Sequence, residues 1–107
     1  IHVASRGQGT FIGDDITIGH MALLHACTLE SGCFVGMKAC LMDGVYVEAG
    51  AMVAAGALVT PGKRVRCGEL WAGTPARLMR KLTPDETEFF KRSAAQYVDL
   101  AATYRTP

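Results

Sequence analysis

The chain has three histidines, His2, His20 and His25, all within its first 25 residues. Neutral imidazole is the commonest protein ligand for zinc and related metals, bonding at about 2.0–2.1 Å. Taken singly, each would read as a surface histidine or a satisfied core histidine. Their places beside neighbouring aliphatics change that reading. His2 follows Ile1, His25 follows Leu24, and His20 stands two places after Ile18. Whether the three can converge depends on the element that carries those aliphatics.

That element is a repeat. Every sixth residue forms an aliphatic column: Ile12, Ile18 and Leu24, then Leu29, Val35, Leu41, Val47, Val53, Val59 and Val65, ending at Trp71. One step is short, from Leu24 to Leu29. Four places after each aliphatic comes a small or β-branched residue, among them Ile16, Ala22, Cys33, Ala39, Val45, Ala51 and Ala57. A helix would show apolar residues at 3.6 spacing, and antiparallel hairpins would show paired turn residues; this stretch shows neither. A six-residue period predicts a hexapeptide β-helix, in which each hexapeptide supplies one short strand and one corner, and three make a triangular coil. Each aliphatic then points inward and stacks on its equivalent one coil along, about 4.8 Å away. Periodicity leaves the hand of the coil open.

The histidines can now be placed. With Ala4-Ser5-Arg6-Gly7-Gln8-Gly9 as a corner loop carrying an insertion, Ile1, Ile12, Ile18 and Leu24 are successive hexapeptide starts. Three steps complete a coil, so Ile1 and Leu24 share a face in adjacent coils. His2 and His25 are therefore expected as stacked, outward-pointing neighbours able to share one metal. His20 lies on a different face and cannot reach that ion within its own chain. A threefold assembly resolves this, because His20 of one subunit can face His2 and His25 of the next, with one metal at each interface.

The solenoid is expected to occupy residues 1–76, ending near Trp71 at the break Gly73-Thr74-Pro75. Residues 77–107 read as a linker and a C-terminal α-helix packed back on the β-helix. Thr83 is a candidate N-cap, Pro84 suits the first helical position, and Glu86 completes a capping box. Phe89 or Phe90, Ala94, Tyr97, Leu100 or Ala101, and Tyr104 make one apolar face.

Composition narrows the function classes. The 107 residues suit one domain at most, and half are apolar, enough for a core. Eleven basic and ten acidic residues give a net charge of +1, which implies no nucleic-acid partner. No apolar run is long enough for a membrane span, and the opening residues carry no secretory leader pattern. Cys27, Cys33, Cys40 and Cys67 match neither a disulfide framework nor a CxxC knuckle, and read as small buried hydrophobes in a reducing compartment. The chain opens at Ile1-His2 already inside a repeat, so an N-terminal portion is expected to precede it.

Ile1-His2-Val3, Gly13-Asp14-Asp15-Ile16-Thr17-Ile18-Gly19-His20 and Leu24-His25-Ala26-Cys27-Thr28 resemble the three metal-ligand segments of γ-class carbonic anhydrases. Val35-Gly36-Met37, Leu41-Met42-Asp43-Gly44 and Gly68-Glu69-Leu70-Trp71-Ala72-Gly73-Thr74-Pro75-Ala76 extend the resemblance over essentially the whole chain. It is nearest to bacterial γ-carbonic-anhydrase-like proteins and to the γ-type subunits of mitochondrial respiratory complex I. The resemblance implies a mainly β fold, a left-handed parallel β-helix followed by a C-terminal α-helix. It implies a homotrimer or heterotrimer of related γ-type chains, with zinc (alternatively iron or cobalt) held by His2, His20 and His25. The open fourth position holds water, acidified enough to attack carbon dioxide and give bicarbonate. It further implies a mitochondrial matrix-side or bacterial cytoplasmic location, not secretion.

Two departures bear on catalysis. The loop after His2 holds Arg6 and Gln8 where archetypal members carry shuttle glutamates, and Gln96 stands where the family usually has Asn. Tyr97, beside Gln96, receives no catalytic role. The second reading is a structural γ-type subunit on the membrane arm of complex I with little or no activity, and the third a hexapeptide acyltransferase.

Overall fold

The computed structural model describes residues 1–4 and 7–105. Ser5 and Arg6, the centre of the expected corner loop, lie outside them. The hexapeptide register holds throughout. Ten strands of two residues each stack as three parallel sheets. The first contains β1 (Phe11–Ile12), β4 (Thr28–Leu29), β7 (Tyr46–Val47) and β10 (Arg64–Val65). The second contains β2 (Thr17–Ile18), β5 (Phe34–Val35) and β8 (Met52–Val53), extended by β11 (Glu69–Gly73) and β12 (Ala76–Lys81). The third contains β3 (Leu23–Leu24), β6 (Cys40–Leu41) and β9 (Leu58–Val59).

The aliphatic column is the core. Ile12 faces Leu29, Val47 and then Val65; Ile18 faces Val35, Val53 and then Trp71; Leu24 faces Leu41 and then Val59. From Leu24 to Val65 these side chains are fully buried, and Cys33, Ala39, Val45, Ala51 and Ala57 fill the corners between them. Ile12 and Ile18 depart from this, at 40% and 36% exposed, because among the described residues no strand pairs outside β1 or β2 to cover them.

The corners permit the close stacking. A Cβ on Gly19 would lie 2.4 Å from the Met37 nitrogen, and one on Gly36 would lie 2.4 Å from the Ala55 nitrogen. Neither position tolerates a side chain without moving backbone. The short step is made at Ala26, a buried residue in the left-handed region (φ 52°), which closes its corner with one residue fewer. Cys27 thereby turns inward.

At the far end the chain departs from the expected linker. β11 stacks parallel on β8 through Leu70 and Trp71, then folds back antiparallel as β12. β12 is the outer strand of its sheet and exposes Arg77, Arg80 and Lys81, charges that discourage further pairing.

The helix α1 (Pro84–Arg105) starts as its sequence requires. Thr83 N–H donates to Glu86 Oε1 (2.9 Å) and Glu86 N–H donates to Thr83 Oγ1 (3.2 Å), a reciprocal capping box. Arg80 clamps both Glu86 oxygens at 2.7 and 2.8 Å, and holds that carboxyl down to a pKa of about 2. The helix packs on the second sheet. Phe90 stacks on Phe34 with ring centroids 5.0 Å apart, and Ser93 Oγ meets Thr17 Oγ1 at 3.0 Å.

The expected apolar face is therefore only half used. Phe90 and Ala94 are buried, whereas Tyr97, Leu100 and Tyr104 are exposed. Helical spacing reports which residues share a stripe, not how far the sheet beneath extends, and among the described residues the sheet ends at β2. The cysteines divide similarly. All four are free thiols; Cys27 and Cys33 are buried, Cys40 is half-buried and Cys67 is exposed. Burial pushes the Cys33 thiol up to about 12. Cys67 follows the outermost β10 at a corner no further coil covers, so it is not the buried hydrophobe expected. No helix among the described residues is long and apolar enough to cross a membrane.

Candidate metal centre

The repeat positions His2 and His25 as neighbours. They form an isolated parallel bridge outside the named strands, with His2 N–H donating to Leu24 O (2.6 Å) and Ala26 N–H donating to His2 O (2.9 Å). Their rings stack with centroids 4.9 Å apart and planes inclined by 20°. The Thr10 hydroxyl ties the two corners together: it donates to the His2 carbonyl oxygen and accepts from Ala26 N–H at 2.9 Å.

One coil further on, Asp43 completes this corner. Its Oδ1 lies in hydrogen-bond contact with His25 Nδ1, both side chains being part-exposed. The Asp43 corner is pinned on both sides, since Gly62 N–H donates to Asp43 O (2.9 Å) and Gly44 N–H donates to Ala26 O (2.8 Å). An imidazole that donates through Nδ1 keeps a free lone pair on Nε2, the state a metal ligand requires.

His20 sits elsewhere. It is exposed, at the corner leaving β2, and shares a cleft of about 300 Å³ with Ile16, Thr17, Ile18, Gly19 and Tyr97. Its carbonyl accepts from Lys38 N–H at 2.8 Å. Among the described residues no three His, Cys, Asp or Glu side chains of this chain converge on a metal position. The donor set within one chain fits part of a zinc site: two imidazoles on one corner, one of them oriented. A tetrahedral site with an open position needs a third donor.

Asp43 and Thr10 are not among the site residues expected from the sequence. Asp43 had a usable signal, because it stands two places after Leu41, the partner of the aliphatic that precedes His25. Thr10 had none, because its bridge crosses the loop whose insertion breaks the period.

No family model matches the chain. It is 53% identical over 100 residues to "Gamma carbonic anhydrase 2, mitochondrial" of Arabidopsis thaliana, covering 94% of this chain and 36% of that protein. It is 39% identical over 99 residues to "Probable carbonic anhydrase" of Methanocaldococcus jannaschii, covering 92% of this chain and 62% of that protein. Among solved structures, a hexapeptide transferase family protein from Anaplasma phagocytophilum superposes with a TM-score of 0.83 at 43% identity, covering 89% of this chain and 61% of that one. The chain spans about two fifths of the length of the Arabidopsis relatives it matches.

Proposed function

We propose, because this chain is a homologue of the gamma carbonic anhydrases along nearly all of its length, that it takes part in the reversible hydration of carbon dioxide to bicarbonate. In this reading His2 and His25 of one subunit and His20 of a neighbour in a trimer hold a zinc ion, or alternatively iron or cobalt. The bound ion would supply a water acidified to near neutral pKa. In this reading the bridge at Leu24 and Ala26 sets the spacing of His2 and His25, and the Thr10 hydroxyl joins their corners. The mitochondrial names of the Arabidopsis relatives support a mitochondrial location.

The observation that carries the reading is the stacked His2–His25 pair, two imidazoles presented on one corner without a third donor from the same chain. Acyl transfer has for support the name of another structural neighbour, a "putative acetyltransferase" of Bacillus cereus that superposes with a TM-score of 0.84 at 30% identity, and this donor pair favours metal chemistry over it. The test is metal content and stoichiometry of the assembly purified without chelator, for the natural sequence and for His20→Ala. Three ions per trimer, lost in His20→Ala, support the reading. Full metal in His20→Ala overturns the interfacial site. No metal in either, with unlike chains copurifying, would make this a structural γ-type subunit.

A further inference from the structure

We propose that Asp43 is a positioning residue: its carboxylate holds the His25 ring in the Nδ1–H form, so that Nε2 is presented as the metal donor. This rests on the reading of His25 as a ligand. The geometry is specific. Among the described residues, the His25 ring has a side-chain hydrogen-bond partner and the His2 ring has none, although the two rings stack at 4.9 Å. A carboxylate oxygen is an acceptor, so the Asp43 contact on Nδ1 matches a ring that carries its hydrogen there. Asp43 reaches His25 from the adjacent coil, at a corner fixed by backbone bonds to Gly62 and Ala26 on either side. Its side chain is therefore placed without depending on the metal, and its removal leaves the corner's backbone bonds in place.

Carboxylates behind ligating histidines fix the ring's tautomer and raise its basicity, and losing one typically lowers metal affinity roughly 10–100-fold. Asp43→Ala removes the acceptor. Asp43→Asn keeps a carbonyl acceptor for Nδ1–H and removes the charge, which separates orientation from electrostatics.

The experiment reads two quantities on the natural sequence, Asp43→Ala and Asp43→Asn. The first is the 15N spectrum of the His25 ring in metal-free protein, which reports which nitrogen carries the proton. The second is the dissociation constant for cobalt(II) by competition with a chromophoric chelator. The expected result is Nδ1–H in the natural sequence, a shift towards Nε2–H in Asp43→Ala, and recovery of Nδ1–H in Asp43→Asn. Cobalt binding should weaken roughly 10–100-fold in Asp43→Ala and less in Asp43→Asn. An unchanged His25 spectrum in Asp43→Ala overturns the proposal, as does unchanged cobalt affinity where the natural sequence binds cobalt. A His25 tautomer that follows Asp43 in a protein binding no metal supports the orienting role and overturns the metal-site reading, so the two failures are distinct.

Discussion

The rings of His2 and His25 lie 4.9 Å apart because the two residues face each other across a parallel bridge, which reproduces the spacing of neighbouring strands. His20, on another side of the triangular coil, does not join them.

That separation supports a complementation test of the interfacial site. His2→Ala and His20→Ala chains should each be metal-free alone. Refolded together they should regain about a quarter of the sites, since a random trimer pairs an intact His2 with a neighbour's intact His20 that often. Atomic absorption on the refolded mixture gives the count. A mixture as metal-free as its parents would exclude a site shared between chains.

Val53 sits at the centre of the Val35–Val53–Trp71 ladder and is completely buried. Val53→Asp places an unpaired charge there and should cost on the order of 4 kcal/mol or more, lowering Tm by over about 10 °C. Leu78→Asp, on the exposed face of β12, should stay within about 0.5 kcal/mol. Thermal unfolding followed by circular dichroism distinguishes them, and equal effects would refute the register.

Two glycines should separate steric from conformational cost. Gly36→Ala puts a methyl 2.4 Å from the Ala55 nitrogen and requires the coils to part. Gly56→Ala meets nothing within 4 Å but must hold a φ of 71°, a cost of about 1–2 kcal/mol. Gly36→Ala should be the more damaging by denaturant unfolding, because overpacking at a closed corner strains the coil-to-coil bonds beside it, Gly36 N–H to Val53 O and Gly56 N–H to Met37 O.

The helix should be held through its first half. Phe90→Ala removes the buried ring stacked on Phe34 and should destabilise helix docking by about 3–5 kcal/mol. Tyr104→Ala, at 82% exposure, should change stability by less than about 0.5 kcal/mol. Limited proteolysis within α1 is the readout, accelerated in the first variant and unaltered in the second.

The helix start should loosen in acid. Arg80 and the Thr83 amide lower the Glu86 carboxyl from 4.5 to about 2, so the folded state favours the ionised form. That contribution is fully present above pH 4.5 and is lost as pH falls through about 2. Glu86→Gln, which keeps capping-box geometry without the charge, should flatten this pH dependence, measured by amide exchange at Glu86 and Thr87.

Much of the architecture is legible before any coordinates. The column from Ile12 to Trp71 predicts every strand pairing of the solenoid, because a side chain buried on three sides must be apolar at every sixth place whatever the rest of the coil does. The capping box at Thr83 and Glu86 is equally local and appears where the sequence puts it. The extent of helix docking is not local. Phe90 and Tyr97 share a stripe by spacing, and only the edge of the second sheet at β2 decides that one is buried and the other exposed. The strand β12 is hidden for a related reason: its residues alternate poorly, and it forms because the open edge of β11 offers it a partner.

At the candidate site the division is the same. Residue type and repeat position by themselves placed His2 beside His25 and His20 apart, since each follows a counted step from an inward aliphatic. The Thr10 bridge between the two histidine corners needed the tertiary structure, and so did the reach of the Asp43 side chain to His25, of which the repeat signals only the register. Both join residues of different coils through side chains whose reach depends on how each corner turns, and corner geometry is set by packing against the next coil.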